Sequence, residues 1–141
     1  MSQKVIPFVW FEKDAEKAAE YYVSVFASAK INQIVKYPEA AESVSGQKAG
    51  SVMTVDLAIE GMNFQFLNGG KVPGFDLGSS AVSFVIECET QAEIDDLWGK
   101  LSAVAEAEQC GWCRDKFGVT WQIVPKVLVQ YRSKKINFWK K

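Results

Sequence analysis

One seven-residue pattern occurs twice in this chain. Gly61-Met62-Asn63-Phe64-Gln65-Phe66-Leu67 and Gly118-Val119-Thr120-Trp121-Gln122-Ile123-Val124 both read glycine, apolar, small polar, aromatic, glutamine, apolar, apolar, at an offset of 57 residues. Apolar and polar residues alternate in each copy, and the turn-like Asp115-Lys116-Phe117-Gly118 leads into the second, so both read as strands. A strand repeated with a glutamine at the same step implies that two similar halves build the fold.

The rest of the chain fits that reading. Val5 to Phe11 is a continuous apolar run, the pattern of a strand buried on both faces. Asp14 is a candidate helix N-cap, and Ala15, Ala18, Ala19, Tyr22, Val23 and Phe26 follow at helical spacing. Lys30–Tyr37 reads as a strand, and Pro38–Gly50, polar and small, as a loop. Ser51–Glu60 alternates cleanly: Met53, Val55, Leu57 and Ile59 share one face, Thr54 and Asp56 the other. Gly61 turns the chain into the Gln65 strand, and a glycine-rich loop runs from Asn68 to Ser80. The pattern then restarts. Ala81–Cys88 is a strand. Thr90 with Glu93 forms a capping box before a helix whose apolar face is Ile94, Leu97, Trp98 and Leu101. Short strands are expected around Val104–Gln109 and Gly111–Arg114, before the Gln122 strand. Aligning Phe8 with Phe84 completes the correspondence. A repeat of this size is too large for a solenoid unit and indicates two halves of one domain.

With 141 residues, 48% of them hydrophobic, the chain is expected to form a single domain, 1–141. Its boundaries read as a first module at about 4–68, a connector at 69–80, a second module at 81–125 and a basic tail at 126–141. No apolar run approaches the ~20 residues of a membrane span. Met1-Ser2-Gln3-Lys4 carries no signal-peptide pattern, so a cytoplasmic location is expected. The net charge of −1 is uneven: residues 126–141 hold six basic groups and no acid, leaving the remainder at −7. Such a body repels phosphates, and the tail reads as a solvated or subunit-docking end; no nucleic-acid or membrane partner is expected. With no histidine in the chain, Ser-His-Asp and Cys-His catalysis are excluded. The Cys110-Gly111-Trp112-Cys113 spacing lies between strand-like pieces rather than at a helix N-terminus, and reads as incidental thiols in a reducing compartment.

Two βαβββ modules in tandem resemble the vicinal oxygen chelate superfamily. Pro7-Phe8-Val9-Trp10-Phe11, Ala15-Glu16-Lys17-Ala18-Ala19-Glu20-Tyr21-Tyr22 with Val25-Phe26, and Gly111-Trp112-Cys113-Arg114-Asp115-Lys116-Phe117-Gly118-Val119-Thr120-Trp121-Gln122-Ile123-Val124-Pro125 resemble its PhnB-like branch, often labelled 3-demethylubiquinone-9 3-methyltransferase. The resemblance covers about residues 4–125. It implies an α+β fold of the glyoxalase/bleomycin resistance/dihydroxybiphenyl dioxygenase type, a cupped mixed β-sheet with helices outside and a cavity between the modules, within one chain or across a swapped dimer. Metal-using members place carboxylates where this chain has Gln65 and Gln122, and histidines near Pro7 and Ala81. Amides are poor ligands for a catalytic divalent ion, so no metal is expected. No Rossmann-type glycine fingerprint supports S-adenosylmethionine binding, and no other cofactor is expected.

Strand alternation turns Thr54, Asp56, Gln65, Ser83, Val85, Thr120 and Gln122 toward the cavity, with Phe64, Phe66, Phe84, Ile86, Trp121 and Ile123 under the helices. The expected function is metal-independent binding of a small, largely apolar or aromatic molecule by a homodimer, with Gln65, Gln122, Thr54, Thr120, Ser83, Trp10 and Trp112 as ligand-binding residues. One alternative is an enzyme using Asp56 as acid and base, if an apolar setting raises its pKa; another is an interaction module with a collapsed cavity.

Overall fold

A computed structural model describes residues 3–127; the basic tail from residue 128 lies outside the described residues. The chain is α+β and divides into two compact units at Leu77/Gly78.

In the first unit, β1 (Phe8–Phe11), β2 (Ala29–Lys36), β3 (Val52–Ile59) and β4 (Met62–Asn68) form a sheet in the order β1-β4-β3-β2. The β1–β4 pair is parallel and the other two pairs are antiparallel. Helix α1 (Ala15–Val25) covers one face. Val55, Leu57, Phe64 and Phe66 are buried on that face with Ala15, Ala18, Ala19 and Tyr22. The Tyr22 and Phe66 rings meet edge-on, with centroids 5.8 Å apart, a favoured aromatic geometry. Glu60 and Gly61 form the two-residue turn between β3 and β4, with φ of 48° and 82°. Two successive positive φ values are what a twist-matched hairpin of this length requires, hence the glycine.

Asp14 makes no side-chain cap on α1. Asn68, at the far end of β4, does that work: its Oδ1 accepts from Ala15 N at 2.8 Å, and its Nδ2 donates to Val52 O at 3.2 Å. The Tyr37 hydroxyl donates to the Asn68 carbonyl. The first turn of the helix is thus tied to the sheet by a residue 53 positions away, a link invisible to local capping rules.

Three other expectations change in this unit. Residues 38–50 are not simply a loop: α2 (Glu39–Ser45) starts after Pro38 and ends on Gly46 at φ 73°. It buries no residue, so it has no apolar periodicity to betray it. The first strand begins only at Phe8 and is buried on one face: Val9 and Phe11 are buried, whereas Phe8 is 54% exposed. The glycine-rich connector belongs structurally to the first unit as far as Leu77. Gly69 N and Gly70 N donate to Phe11 O and Glu12 O, which extends the β1–β4 ladder.

In the second unit, β5 (Phe84–Cys88), β6 (Trp112–Arg114) and β7 (Thr120–Pro125) form a three-stranded sheet in the order β5-β7-β6, with β5 parallel and β6 antiparallel to β7. Helix α3 (Gln91–Leu101) packs on it through Leu97 and Leu101. Thr90 Oγ1 accepts from Glu93 N at 3.1 Å, while Glu93 Oε2 accepts from Glu89 N at 2.9 Å. The capping box therefore forms, with its return bond one residue early. Asp115, 1% exposed, holds the turn before β7. Its Oδ1 accepts from Phe117 N and Val119 N at 2.9 and 3.1 Å, and its Oδ2 from Trp121 Nε1 at 2.8 Å. Three N–H donors satisfy a carboxylate that would otherwise be costly to bury.

The second copy is abbreviated. Val104–Gln109 is not a strand; it contains a 3-10 turn, Ala105–Ala107, and its backbone bonds to β6 are made on either side of that turn. Ala103 N donates to Arg114 O, and Gln109 forms an isolated bridge with Trp112. Six steps of chain, from 103 to 109, face two steps of β6, from 112 to 114, so the intervening residues must bow outward.

The register also moves the internal alignment by one residue. Phe8 pairs with Gln65, but it is Val85, not Phe84, that pairs with Gln122. Phe8 therefore corresponds to Val85. A one-residue slip exchanges faces, which is why Phe84 packs against Trp121 beneath α3, with centroids 5.5 Å apart, while Phe8 stands on the opposite kind of face.

Candidate functional site

Each sheet has one face that carries no helix of its own unit. On the first, cross-strand register aligns Phe8, Gln65, Asp56 and Gln33 in one row, and Trp10, Leu67, Thr54 and Val35 in the next. Asp56 and Gln65 are directly opposed and half-buried. Neither side chain makes a hydrogen bond or ion pair with the described residues of its unit. Trp10 is held: its Nε1 donates to Gly70 O at 3.0 Å, and its ring lies 4.4 Å from that of Phe75. A Cβ on Gly69 would lie 2.1 Å from the Trp10 ring. The glycines of this loop thus admit an indole and extend a ladder, which are structural uses of their small size.

On the second sheet's open face, Val85, Gln122 and Trp112 form one row, and Thr120 and Arg114 the next. Gln122 and Thr120 are buried, at 8% and 4% exposure. Gln122 Nε2 donates to Ser83 Oγ at 3.0 Å, and the Thr120 and Ser80 hydroxyls lie 3.3 Å apart. Arg114 Nη2 donates to the same Ser80 hydroxyl at 3.2 Å. A cleft of about 500 Å³ opens here between Trp112, Arg114 and Ser80 on one side and the bowed segment around Glu106 on the other. Its size falls within the range of small-molecule sites.

Of the candidate residues, the structure brings Thr54, Asp56, Gln65 and Trp10 together on the first open face, and Ser83, Thr120, Gln122 and Trp112 on the second. Arg114 was missed. It is two residues from Trp112 in the same strand, so the alternation used for Thr54 and Asp56 would have found it.

The donor set does not suit the superfamily's metal. Gln65 and Gln122 offer neutral amides, and Gln122 already uses its amide nitrogen on Ser83. Asp56 is the single carboxylate in the Gln65 row, and among the described residues no three histidine, cysteine, aspartate or glutamate side chains cluster. The two buried thiols are equally unsuited to redox work. Cys110 sits at φ 50° in the hairpin turn, exposed, whereas Cys113 is buried. Burial, with nearby Asp115 and Glu108, pushes the Cys113 thiol up to about 11; burial and Glu93 push Cys88 up to about 11. Reactive thiols need the opposite shift.

Taken together, two helix-backed mixed sheets, one in each unit and each with polar and aromatic side chains on the face away from its helix, define a protein of the glyoxalase-like fold. Residues 3–124 match the family described as 3-demethylubiquinone-9 3-methyltransferase, and the chain belongs to that family. A PhnB protein from Bacillus cereus is 29% identical, covers 86% of this chain and 99% of its own, and superposes with a TM-score of 0.69. Protein PA1353 from Pseudomonas aeruginosa shares the fold at 16% identity and TM-score 0.60, over 88% of this chain and 98% of its own. The Arabidopsis thaliana At5g48480 product does so at 18% and 0.52, over 88% and 98%. No curated protein matches the chain.

Proposed function

We propose that this protein binds a small, largely apolar or aromatic molecule on its helix-free sheet faces, without a metal ion. The carrying observation is that Gln65 and Gln122 stand in matched rows, beside Phe8 and Trp10 in one unit and Trp112 in the other. Amides there can orient a ligand by donating and accepting hydrogen bonds, while aromatic walls supply the burial that drives binding. We take the binding form to be a cytoplasmic homodimer, which sedimentation of the purified protein tests. In thermal melts with EDTA, a panel of small aromatic and apolar metabolites should include compounds that raise the melting temperature, because ligands of the native state stabilise it. A panel without any stabilising compound, or stabilisation that requires added zinc or magnesium, overturns the reading.

A second reading rests on Asp56, which faces Gln65 without a partner in its unit and could move a proton on a bound molecule. Any turnover found with a stabilising compound should be lost in Asp56→Asn with binding retained; turnover that survives this change removes Asp56 from the chemistry. The methyltransferase label of the family is not extended to this chain, whose loop glycines serve Trp10 and the ladder.

A further inference from the structure

The cleft on the second sheet contains a cation that the surrounding protein satisfies poorly. Arg114 is half-buried; its Nε is buried without a hydrogen-bond partner, and its Nη2 has only the Ser80 hydroxyl, at 3.2 Å. No carboxylate of residues 78–127 pairs with it, and residues 128–141 contain no aspartate or glutamate. A guanidinium carries five N–H donors in a planar fork that fits a carboxylate bidentately. Taken partly out of water and left with one neutral acceptor, it favours an anion.

The indole of Trp112, two residues away on the same face, lines the same cleft. It offers a flat apolar wall beside the charge. Glu106 is the other charged side chain lining the cleft and is exposed. In high dielectric its field is weak, yet it opposes any second negative charge on a ligand.

We infer that this cleft takes an aromatic monocarboxylate, its ring against Trp112 and its carboxylate on the Arg114 guanidinium. The inference rests on the metal-free binding reading above and adds the charge class of the ligand and the residue that selects it. The 3-10 turn makes the site possible: a fully paired edge strand at 103–109 would lie against β6 and remove the cleft.

Three probes of one shape test it by calorimetry on the full chain: 2-naphthoate, neutral 2-naphthamide and 2-naphthyl phosphate. The wild-type protein should bind the carboxylate at least about tenfold tighter than the amide, the difference of a charge-assisted pair over a neutral one, and tighter than the phosphate. Arg114→Gln should bring carboxylate and amide to within about threefold, and Arg114→Lys should retain part of the preference. Equal wild-type affinity for carboxylate and amide overturns the inference while leaving neutral ligand binding intact. So does an undiminished preference in Arg114→Gln. Failure of all three probes also overturns it, and the metal-free reading is then decided by its own metabolite panel. The wild-type comparison needs no variant, so an unstable Arg114→Gln protein does not rescue the idea.

Discussion

The two units use one pattern to different ends. In the first, the edge beside β3 is a full strand, β2, paired with β3 from Ala29 to Lys36. In the second, the matching segment hydrogen-bonds to β6 at Ala103 and Gln109 and bows between them, leaving a cleft. The matched glutamines differ accordingly. Gln65 faces a carboxylate, Asp56, and is half-buried, while Gln122 is buried and donates to Ser83. The two units therefore share a scaffold without sharing the environment of the residue that recurs in them.

The organising residues differ as well, and the largest expected effects test them. Asp115→Ala leaves three N–H donors without their carboxylate and should cost about 4 kcal/mol, from ~1–3 for each buried group left unpaired. Asn68→Ala removes a helix cap and a bond to Val52 O, and should cost about 2 kcal/mol. Urea unfolding gives both values, and hydrogen exchange should place the first loss at 115–125 and the second at 15–19. Losses of equal size spread over both units would break the comparison.

The same substitution at the two glutamines should fail for different reasons. Gln122→Glu buries a carboxylate and should cost about 2 kcal/mol at pH 7, largely independent of salt. Gln65→Glu opposes Asp56 across the ladder and should cost about 1 kcal/mol, relieved by 1 M salt. In both variants the folded pKa of the new carboxyl is raised, so its unfavourable contribution is absent below about pH 4 and grows as pH rises through the folded value. Chemical denaturation from pH 4 to 7 at two salt concentrations separates them; identical salt responses would show that the two environments are alike.

The smallest effect is alkaline. Cys88 and Cys113 have thiols raised to about 11, so the unfolded chain loses these protons first. Stability from this source is complete below about pH 8.5, the ordinary thiol value, and is lost as pH climbs toward 11. At pH 8, iodoacetamide should label Cys110 in the native protein well before the two buried thiols; rapid labelling of all three contradicts their burial.

How far the sequence led follows from what each feature depends on. The twice-occurring strand pattern, the α1 and α3 faces and the alternation of β3 and β4 are period-2 or period-3.6 patterns, so they could be read locally. Asn68 reaching Ala15 depends on tertiary closure, and α2 has no buried face. The Phe8–Phe84 alignment slipped by one because both are aromatic in apolar runs; only the register shows that Val85 is the counterpart. Trp112 and Gln122 could be assigned to one face from alternation, but the cleft beside them could not. It exists because Val104–Gln109 does not become a strand, although that segment alternates like one. Arg114 was legible by the same alternation and went unnoticed because a lone arginine beside a turn resembles an ordinary solvated residue.

On the reading proposed above, the helix-free faces, through their matched amides, receive a ligand in the absence of metal. Side-chain amide correlation spectra test it most directly: a stabilising aromatic compound is titrated into the labelled protein in EDTA while the Gln65 and Gln122 NH2 signals are followed. The account predicts saturable shifts in at least one of these pairs and in the Trp10 or Trp112 indole, with the helix-side Trp121 indole unmoved. Binding that shifts Trp121 and the α1 or α3 amides but neither glutamine, or that vanishes once EDTA is present, would contradict it.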